Sequence, residues 1–426
     1  MFGRLILVAA LSLLTAGSAL ATNGMNMIGY GVRSSGMGGA DAAVLTGASG
    51  VSGNPAVMGK TTPRSITAGI SLLMPKLNVS NETMGLDLDG ENQTFPLPSL
   101  AYTSRLGCGS KWIMGLEAYA QGGMGVDFQN FPTGPTTADD VMSNVMYMRL
   151  TAAAGYEATE ALSLGLSAIA GYAGMKFAMF PESQGGIDVE GLSDFGYAGR
   201  VGMHYQITDA VGFGAVYTTE TALELDGGTA TINFGSEAGG KVEYDAKMID
   251  FTWPSELEFG IAVQPSSSFL IAADAKLINW SSAISVVDLE VSNPPEGYPE
   301  TPFPDGMGGY SNTTSFQMNW EDQWVYALGV EYRVNPVHTI RAGYNYGKSP
   351  VPDDYLSPLF PAILEQHVTL GYGLDLGAWD LNLAYELGFE KSQTNENTDQ
   401  MANPFGPGIT VDHSQNTVHL ETSYSF

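Results

Sequence analysis

The feature that most constrains the fold of this chain is a two-residue alternation of apolar and polar side chains, repeated across residues 64–426. In residues 146–156 one set of positions is apolar, and the interleaved set includes Arg149 and Thr151. Residues 418–426 alternate in the same way. This period is typical of β-strands that have one apolar and one more polar face. The sequence therefore predicts an all-β protein.

The connections between the alternating segments fall into two length classes. Short turns near residues 107–110, 159–160, 208–209, 265–267, 335–336 and 377 alternate with long polar loops, of which residues 283–321 form the longest. A membrane-embedded antiparallel barrel has this pattern, because one rim carries turns and the other carries loops. A soluble sandwich has no reason to separate its loops in this way. The predicted strands, about fourteen in number, are residues 64–78, 98–107, 111–127, 144–158, 161–178, 192–207, 210–225, 241–264, 268–282, 322–334, 337–348, 362–375, 378–391 and 414–426.

Composition and the placement of aromatic residues agree with a transmembrane barrel. The formal charge of −28 excludes nucleic acid as a partner, because a phosphate backbone is bound by clustered Lys and Arg. After the N-terminus, no apolar run approaches the roughly 20 residues of a membrane helix. Aromatic residues near the predicted strand ends are expected to form interfacial girdles. These residues are Trp112, Trp280, Trp320, Trp324, Tyr332 and Tyr424.

The N-terminal part of the chain divides into two predicted units ahead of the barrel. Residues 1–21 have one cation, a short apolar core and a final Ala-Leu-Ala, which is the pattern of a cleaved export signal. Residues 22–62 follow, and their stretch 29–58 is rich in Gly, Ala and Ser. Such a stretch buries too little apolar surface to fold alone. We therefore expect it to form a luminal hatch, or plug, inside the barrel of residues 63–426.

Several longer motifs, in their order and spacing, resemble one family. They are SGMGGADAAV with the following Asn54-Pro55-Ala56, the TFPLPSLAY run at residues 94–102, the segment from Trp253 to Ser282, and the segment from Gln323 to Asp353. Together they resemble the FadL-type outer-membrane transporters of long-chain fatty acids and other hydrophobic compounds. The resemblance implies a fourteen-stranded barrel with a hatch, located in the outer membrane of a Gram-negative bacterium. It also implies passive uptake through a groove between the loops, a luminal pocket, and a lateral exit at a kinked third strand.

The resemblance assigns expected roles to particular residues. Asn54, Pro55 and Ala56 correspond to the hatch motif, and a plain turn between the plug and the first strand is the alternative. The kink and lateral exit are expected at Gly122, Gly123 and Gly125, because clustered glycines in a strand mark a bulge or bend. The same glycines would also permit close packing against the hatch. The mature N-terminus is expected to line the pocket, through Thr22, Asn23, Met25, Met27 and Ile28.

Strand parity identifies three arginines as candidate contacts for a carboxylate head group. Arg149, Arg200 and Arg341 point inward if their apolar neighbours face lipid. Each arginine could instead form an ion pair with an inward acid such as Glu331 or Glu386. The sequence therefore leaves the substrate open between a fatty acid and a neutral hydrocarbon.

Other classes of function are less well supported. An enzyme is not expected, because the HEXXH and GXSXG patterns are missing, and no cofactor or metal site is indicated. A general diffusion porin is the main alternative, but an open pore has no need of the hatch. A structural or adhesive barrel is the other, and it would have no apolar luminal pocket. The expected partners are a hydrophobic small molecule, outer-membrane lipid with lipopolysaccharide, and the barrel-assembly machinery through the C-terminal Phe426.

Overall fold

A computed structural model describes residues 23–60, 64–107, 109–134, 136–305 and 308–426. The predicted export signal and Thr22 lie outside the described residues, as do the positions that would set the boundary at residue 62. The strands are β1 (Arg64–Asn81), β2 (Leu86–Asp89), β3 (Phe95–Arg105), β4 (Trp112–Pro132), β5 (Ala138–Glu157), β6 (Leu162–Met179), β7 (Ile187–Thr208), β8 (Val211–Thr218), β9 (Thr221–Asn233), β10 (Lys241–Trp253), β11 (Glu256–Ser266), β12 (Phe269–Ile278), β13 (Val286–Ser292), β14 (Phe303–Pro304), β15 (Tyr310–Ser311), β16 (Thr313–Gln317), β17 (Gln323–Arg333), β18 (His338–Gly347), β19 (Gln366–Asp375), β20 (Trp379–Asn395) and β21 (Ile409–Ser425). The helices are α1 (Val32–Ser35) and α2 (Trp280–Ala283), with 3₁₀ turns at Ala48–Val51, Ser236–Ala238 and Asp353–Tyr355.

Fourteen of these strands form one closed antiparallel barrel. The circuit runs β1, β3, β4, β5, β6, β7, β8, β11, β12, β17, β18, β19, β20 and β21, and each neighbouring pair is antiparallel. Pairing of β21 with β1, from Ser65↔Ser425 to Ser80↔Thr410, closes it. Closure leaves none of the fourteen strands as an edge strand. The predicted fourteen-stranded barrel is confirmed.

Two predicted strands are each divided in the structure. The predicted strand 241–264 is broken at Pro254 and Ser255 into β10 and β11, since proline has no N–H to donate to a ladder. The predicted strand 210–225 is divided into β8 and β9. In both cases one of the two parts, β9 or β10, leaves the barrel circuit. β9 pairs with β10 and with the N-terminal end of β7, and β10 also pairs with β13. The ladder of β9, β10, β13 and β16 therefore lies outside the fourteen-strand circuit.

The wall has the expected two faces. On β5, Val145, Tyr147 and Arg149 are buried, whereas Leu150 is 58% exposed to the lipid side. The aromatic girdle is only partly as predicted. Trp112, Trp324 and Tyr332 are exposed on the outside, but Trp280 and Trp320 are fully buried and pack edge-to-face with ring centroids 5.1 Å apart. The prediction was wrong for these two tryptophans, because they lie on segments that fold inward at the ends of β12 and β16.

Within the residues that the structure describes, no helix combines the length and the apolar character needed to cross a bilayer. The two α-helices have four residues each.

Candidate functional site

Residues 23–60, called here the N-terminal segment, lie against the inner wall of the barrel. The wall accommodates them with glycines, because a Cβ at each of eight inward positions would come within 3 Å of the segment. Eight different strands supply one such glycine each. A larger side chain at these positions would push the segment away from the wall. The glycines are Gly115, Gly155, Gly165, Gly202, Gly214, Gly260, Gly329 and Gly343.

Asn54 joins a turn of the N-terminal segment to the wall. Its Nδ2 donates to the carbonyl oxygens of Ala42 at 2.7 Å and of Met203 on β7 at 3.0 Å. Its Oδ1 accepts from the backbone N–H of Ala56 at 3.0 Å, across Pro55. Asn54 is 1% exposed, so each of these bonds is made in a dry environment. The side chain thus holds the turn closed and attaches it to β7.

The third strand of the barrel, β4, bends where the sequence placed the glycine cluster. Its pairing with β5 is shifted between Ala120 and Gly122, which is a β-bulge. Gly123 has a φ of +150°, and a Cβ there would lie 2.0 Å from the carbonyl oxygen of Val145. No other residue type fits this conformation without displacing β5. The bend is therefore built into the backbone.

The bend leaves part of the barrel wall unpaired. Among the described residues, the ladder between β3 and β4 ends at Ser99↔Tyr119, although both strands continue beyond it. Pro96 and Pro98 remove two donors from this stretch of β3. The ring of Phe95 covers the opening, since a Cβ on Gly125 would lie 2.9 Å from it.

The N-terminal segment takes up backbone bonds at the bend of β4. The N–H of Met27 donates to the carbonyl oxygen of Gln121 at 3.2 Å, and the N–H of Gly123 donates to that of Met25 at 3.1 Å. Asn26 forms an isolated bridge with Gly122 at the same place. The predicted pocket residues and the predicted kink are thus in direct contact.

An enclosed apolar cavity lies beside Met25. Its volume is about 20 Å³, which is room for little more than one water, so a larger molecule enters only if side chains move. Four of its lining residues are methionines, whose flexible side chains re-pack easily. The lining contains no polar residue. It consists of Met25, Val145, Met175, Phe177, Met248, Phe251, Ile284, Val287, Phe316, Met318, Trp320 and Phe360.

Of the predicted pocket residues that the structure describes, only Met25 lines this cavity. Met27 packs in a separate apolar cluster with Tyr30 and Tyr119, and Asn23 and Ile28 are buried away from the cavity lining. Most of the lining comes instead from β5, β6, β10, β13 and β16, together with three inward-folded connections.

The connection at residues 348–365 folds into the lumen, which the sequence analysis did not anticipate. The Ser143 hydroxyl donates to the carbonyl oxygen of Leu359, and Gln393 Nε2 donates to that of Val351 at 2.8 Å. Inward polar side chains of β5 and β20 therefore hold this loop and place Phe360 in the cavity wall. The spacing of the apolar residues Leu356, Leu359 and Ile363 is the sequence signal that could have indicated a buried loop.

A buried cluster of charges surrounds Tyr30 below the cavity. The Tyr30 hydroxyl donates to Glu256 Oε2 at 3.0 Å and accepts from Arg149 Nη2 at 3.0 Å. Arg149, Arg200 and Lys276 place their cationic groups 5.1–5.7 Å from the centre of its ring. Burial raises the pKa of Tyr30 above its ordinary value, so it stays neutral. The segment is therefore held by hydrogen bonds and cation–π contacts.

The three candidate arginines lie inside the barrel, and each contacts other protein groups. Arg341 Nε lies 2.7 Å from Glu331 Oε2, and the same carboxylate binds Arg33 of the N-terminal segment at 2.8 Å. Arg200 donates to Thr218 Oγ1 at 2.8 Å and to the carbonyl oxygen of Ser52. Arg149 Nε finds no hydrogen-bond partner among the described residues, but Arg149 does not line the apolar cavity. None of the three lines that cavity.

Two further openings lie at the ends of the barrel. Toward the long loops, an open groove of about 600 Å³ is formed around the rings of Phe131, Phe180 and Phe405, whose centroids lie 5.5–5.8 Å apart. Toward the short turns, a vestibule of about 540 Å³ is lined mainly by polar groups such as Arg33 and Glu331. The N-terminal segment lies between this vestibule and the apolar cavity.

A closed antiparallel barrel with an internal apolar cavity and an unpaired stretch of wall is the architecture of an outer-membrane transport protein. The model of the outer membrane protein transport protein family (OMPP1/FadL/TodX) matches residues 8–426. The chain belongs to this family, whose members are transport channels of the Gram-negative outer membrane and not enzymes.

Solved structures with the same fold have low sequence identity to the chain. The Pseudomonas putida toluene transporter TodX is 21% identical with a TM-score of 0.76, and the alignment covers 94% of this chain and 99% of that one. A Pseudomonas aeruginosa FadL homologue is 16% identical with a TM-score of 0.74, covering 95% and 100%. An uncharacterised Chlorobium limicola protein, described by its place in the 5′ region of a phosphoenolpyruvate carboxykinase gene, is 46% identical over 76 residues, which are 17% of this chain and 37% of that protein.

Proposed function

We propose that the protein takes up hydrophobic small molecules passively across the outer membrane. The observation that supports this most strongly is the apolar cavity beside Met25, which adjoins the bend of β4. Each CH₂ that moves from water into such a lining contributes about 0.8 kcal/mol. A hydrophobic solute therefore gains this transfer free energy in the cavity, whereas in a water-filled pore it stays hydrated and gains none.

The proposed route passes through a groove, a cavity and a lateral exit. The groove around Phe131, Phe180 and Phe405 first binds the transported molecule, and the cavity beside Met25 then receives it. The gap between β3 and β4 releases it sideways into the membrane. Because Phe95 covers the gap and Met25 contacts the bend, small movements of these two side chains connect the cavity to the lipid. Asn54, Pro55 and Ala56 keep the N-terminal segment in place as the hatch.

The cavity favours neutral cargo over a fatty acid. A carboxylate buried without a partner costs several kcal/mol, and no cation lines the cavity. Arg200 and Arg341 already bind other protein groups, and Arg149 contacts Tyr30. A hydrocarbon or another uncharged molecule avoids this cost.

Uptake by proteoliposomes tests the route with a matched pair of variants on β5. Val145→Trp adds more volume than the closed cavity holds, so it should prevent the side-chain movements that admit cargo and reduce the uptake of a neutral hydrocarbon to the rate of protein-free vesicles. Leu150→Trp adds the same side chain on the lipid face and should leave uptake unchanged. Equal uptake by the two variants contradicts the route. Comparing a hydrocarbon with its carboxylated analogue then tests the preference for neutral cargo.

The porin alternative is tested by the same vesicles. A general diffusion pore would pass small sugars at a rate independent of Val145→Trp, whereas the proposed transporter passes hydrocarbons and excludes sugars.

The proposed recognition by the barrel-assembly machinery involves Phe426, whose N–H donates to the carbonyl oxygen of Arg64 at 3.1 Å.

A further inference from the structure

Three buried carboxylates meet where the N-terminal segment crosses β11 and β12. They belong to Asp41, Glu258 and Asp274, and one oxygen of each lies within 4.8 Å of the others. Each of the three residues is at most 8% exposed. Ligand oxygens of one hard cation, each bound at 2.3–2.6 Å, are about this far apart. The spacing is therefore suitable for coordination of a single ion.

One carboxylate oxygen of the three acids, Asp274 Oδ1, makes no hydrogen bond within the part of the chain that the structure describes. Asp274 Oδ2 accepts from the backbone N–H groups of Asp41 and Ala42 at 2.6 and 2.8 Å. Asp274 Oδ1 is buried and finds no hydrogen-bond partner within the part of the chain that the structure describes. A buried carboxylate oxygen left in this way is costly unless a cation or a proton satisfies it.

The charges around the site do not balance. Lys276 lies beside the site, and its Nζ is 3.4 Å from Glu258 Oε1. With all three acids ionised, the Lys276–Glu258 pair leaves Asp41 and Asp274 without a salt-bridge partner among the described residues. The neighbouring acid Glu256 is already bound by Tyr30 and lies beside Arg149. A divalent cation would neutralise the remainder.

We propose that Asp41, Glu258 and Asp274 bind one hard divalent cation of the calcium type, which ties the N-terminal segment to β11 and β12. Carboxylate oxygen is the donor that such ions prefer, and waters complete the coordination shell. The ion enters through the polar vestibule, whose lining includes Ala43 and Ala262 close to the three acids. The sequence indicated no metal site because the three residues are far apart in the chain. The proposal does not depend on what the protein transports.

Calcium binding to the full mature protein, purified free of lipopolysaccharide and treated with chelator, tests the proposal. Calcium should bind the wild type and raise its melting temperature. Asp274→Asn and Glu258→Gln should each weaken calcium binding by roughly tenfold or more. Asp87→Asn, on the exposed hairpin strand β2, should bind calcium as the wild type does. Migration of the unheated barrel on a denaturing gel confirms that each variant is folded.

Two results would overturn the proposal. One is a wild type whose melting temperature does not respond to calcium, or a response that both Asp274→Asn and Glu258→Gln retain in full. The other is a melting temperature that rises on acidification and is insensitive to calcium at every pH, which would assign a shared proton to the three acids in place of a metal.

Discussion

Gly214→Val tests whether the barrel wall is shaped to hold the N-terminal segment. A Cβ at Gly214 on β8 would lie 1.9 Å from the carbonyl oxygen of Ala42, and real Cβ contacts essentially never fall below 3.0 Å. The obstructing atoms are backbone, so no rotamer change relieves the clash. The segment at Ala42 must move by about 1 Å or more.

The cost of this movement follows from the contacts at Ala42. Overpacking costs about 1–3 kcal/mol. Movement also strains three hydrogen bonds, which join Asp274 to the N–H groups of Asp41 and Ala42, and Asn54 to the carbonyl of Ala42. Each contributes about 1 kcal/mol, so their complete loss brings the total to about 4–6 kcal/mol. This shifts the equilibrium between the held and the released segment by roughly three to four powers of ten.

Planar-bilayer conductance and melting temperature measure the effect. Gly214→Val should conduct more ions than the wild type and should melt at a lower temperature, because the segment blocks the lumen less often. Gly199→Val is the matched control, since the nearest atom to its added Cβ is 4.0 Å away. If Gly214→Val behaves like Gly199→Val in both measurements, the argument that the wall is fitted to the segment is refuted.

Three further substitutions test separate contacts. Glu331→Gln leaves two guanidinium groups without their shared carboxylate and should lower the free energy of unfolding in denaturant by about 3–5 kcal/mol; a change within error would show that the triad is solvated. Tyr30→Phe removes the hydroxyl between Arg149 and Glu256 and should cost about 1–3 kcal/mol in the same assay, with an unchanged midpoint counting against the buried network. Phe95→Ala uncovers the wall gap and should speed the release of a fluorescent hydrocarbon into vesicle membranes, whereas slower or equal release would contradict a lateral exit there.

The barrel could be predicted because its signal is local. Alternation along each strand reports which face meets lipid, and the inward positions of Arg149 and Arg200 followed from that parity alone. The breaks at Pro254 and between β8 and β9 were missed because alternation continues across them while the pairing partner changes. Trp280 and Trp320 were misplaced because an aromatic residue at a strand end fits a girdle and a luminal wall equally well.

The site could be predicted only in outline. The glycine cluster of β4 and Asn54 were visible as local motifs, and the structure brings Gly122 and Gly123 against Met25 and Met27. The cavity lining could not be predicted, because it joins distant strands with the inward loop at residues 348–365. The role of the eight wall glycines could not be predicted either. A glycine that faces the N-terminal segment has no sequence feature that distinguishes it from other strand glycines, because the contact exists only in the folded barrel.

Ion conductance of the barrel with residues 29–58 deleted tests the central claim most directly. If the N-terminal segment fills the lumen, the intact protein should stay closed to ions in a planar bilayer, and the deleted barrel should open a steady ion-conducting pore. An intact protein that already conducts as freely as the deleted barrel would contradict the claim that this segment closes the lumen.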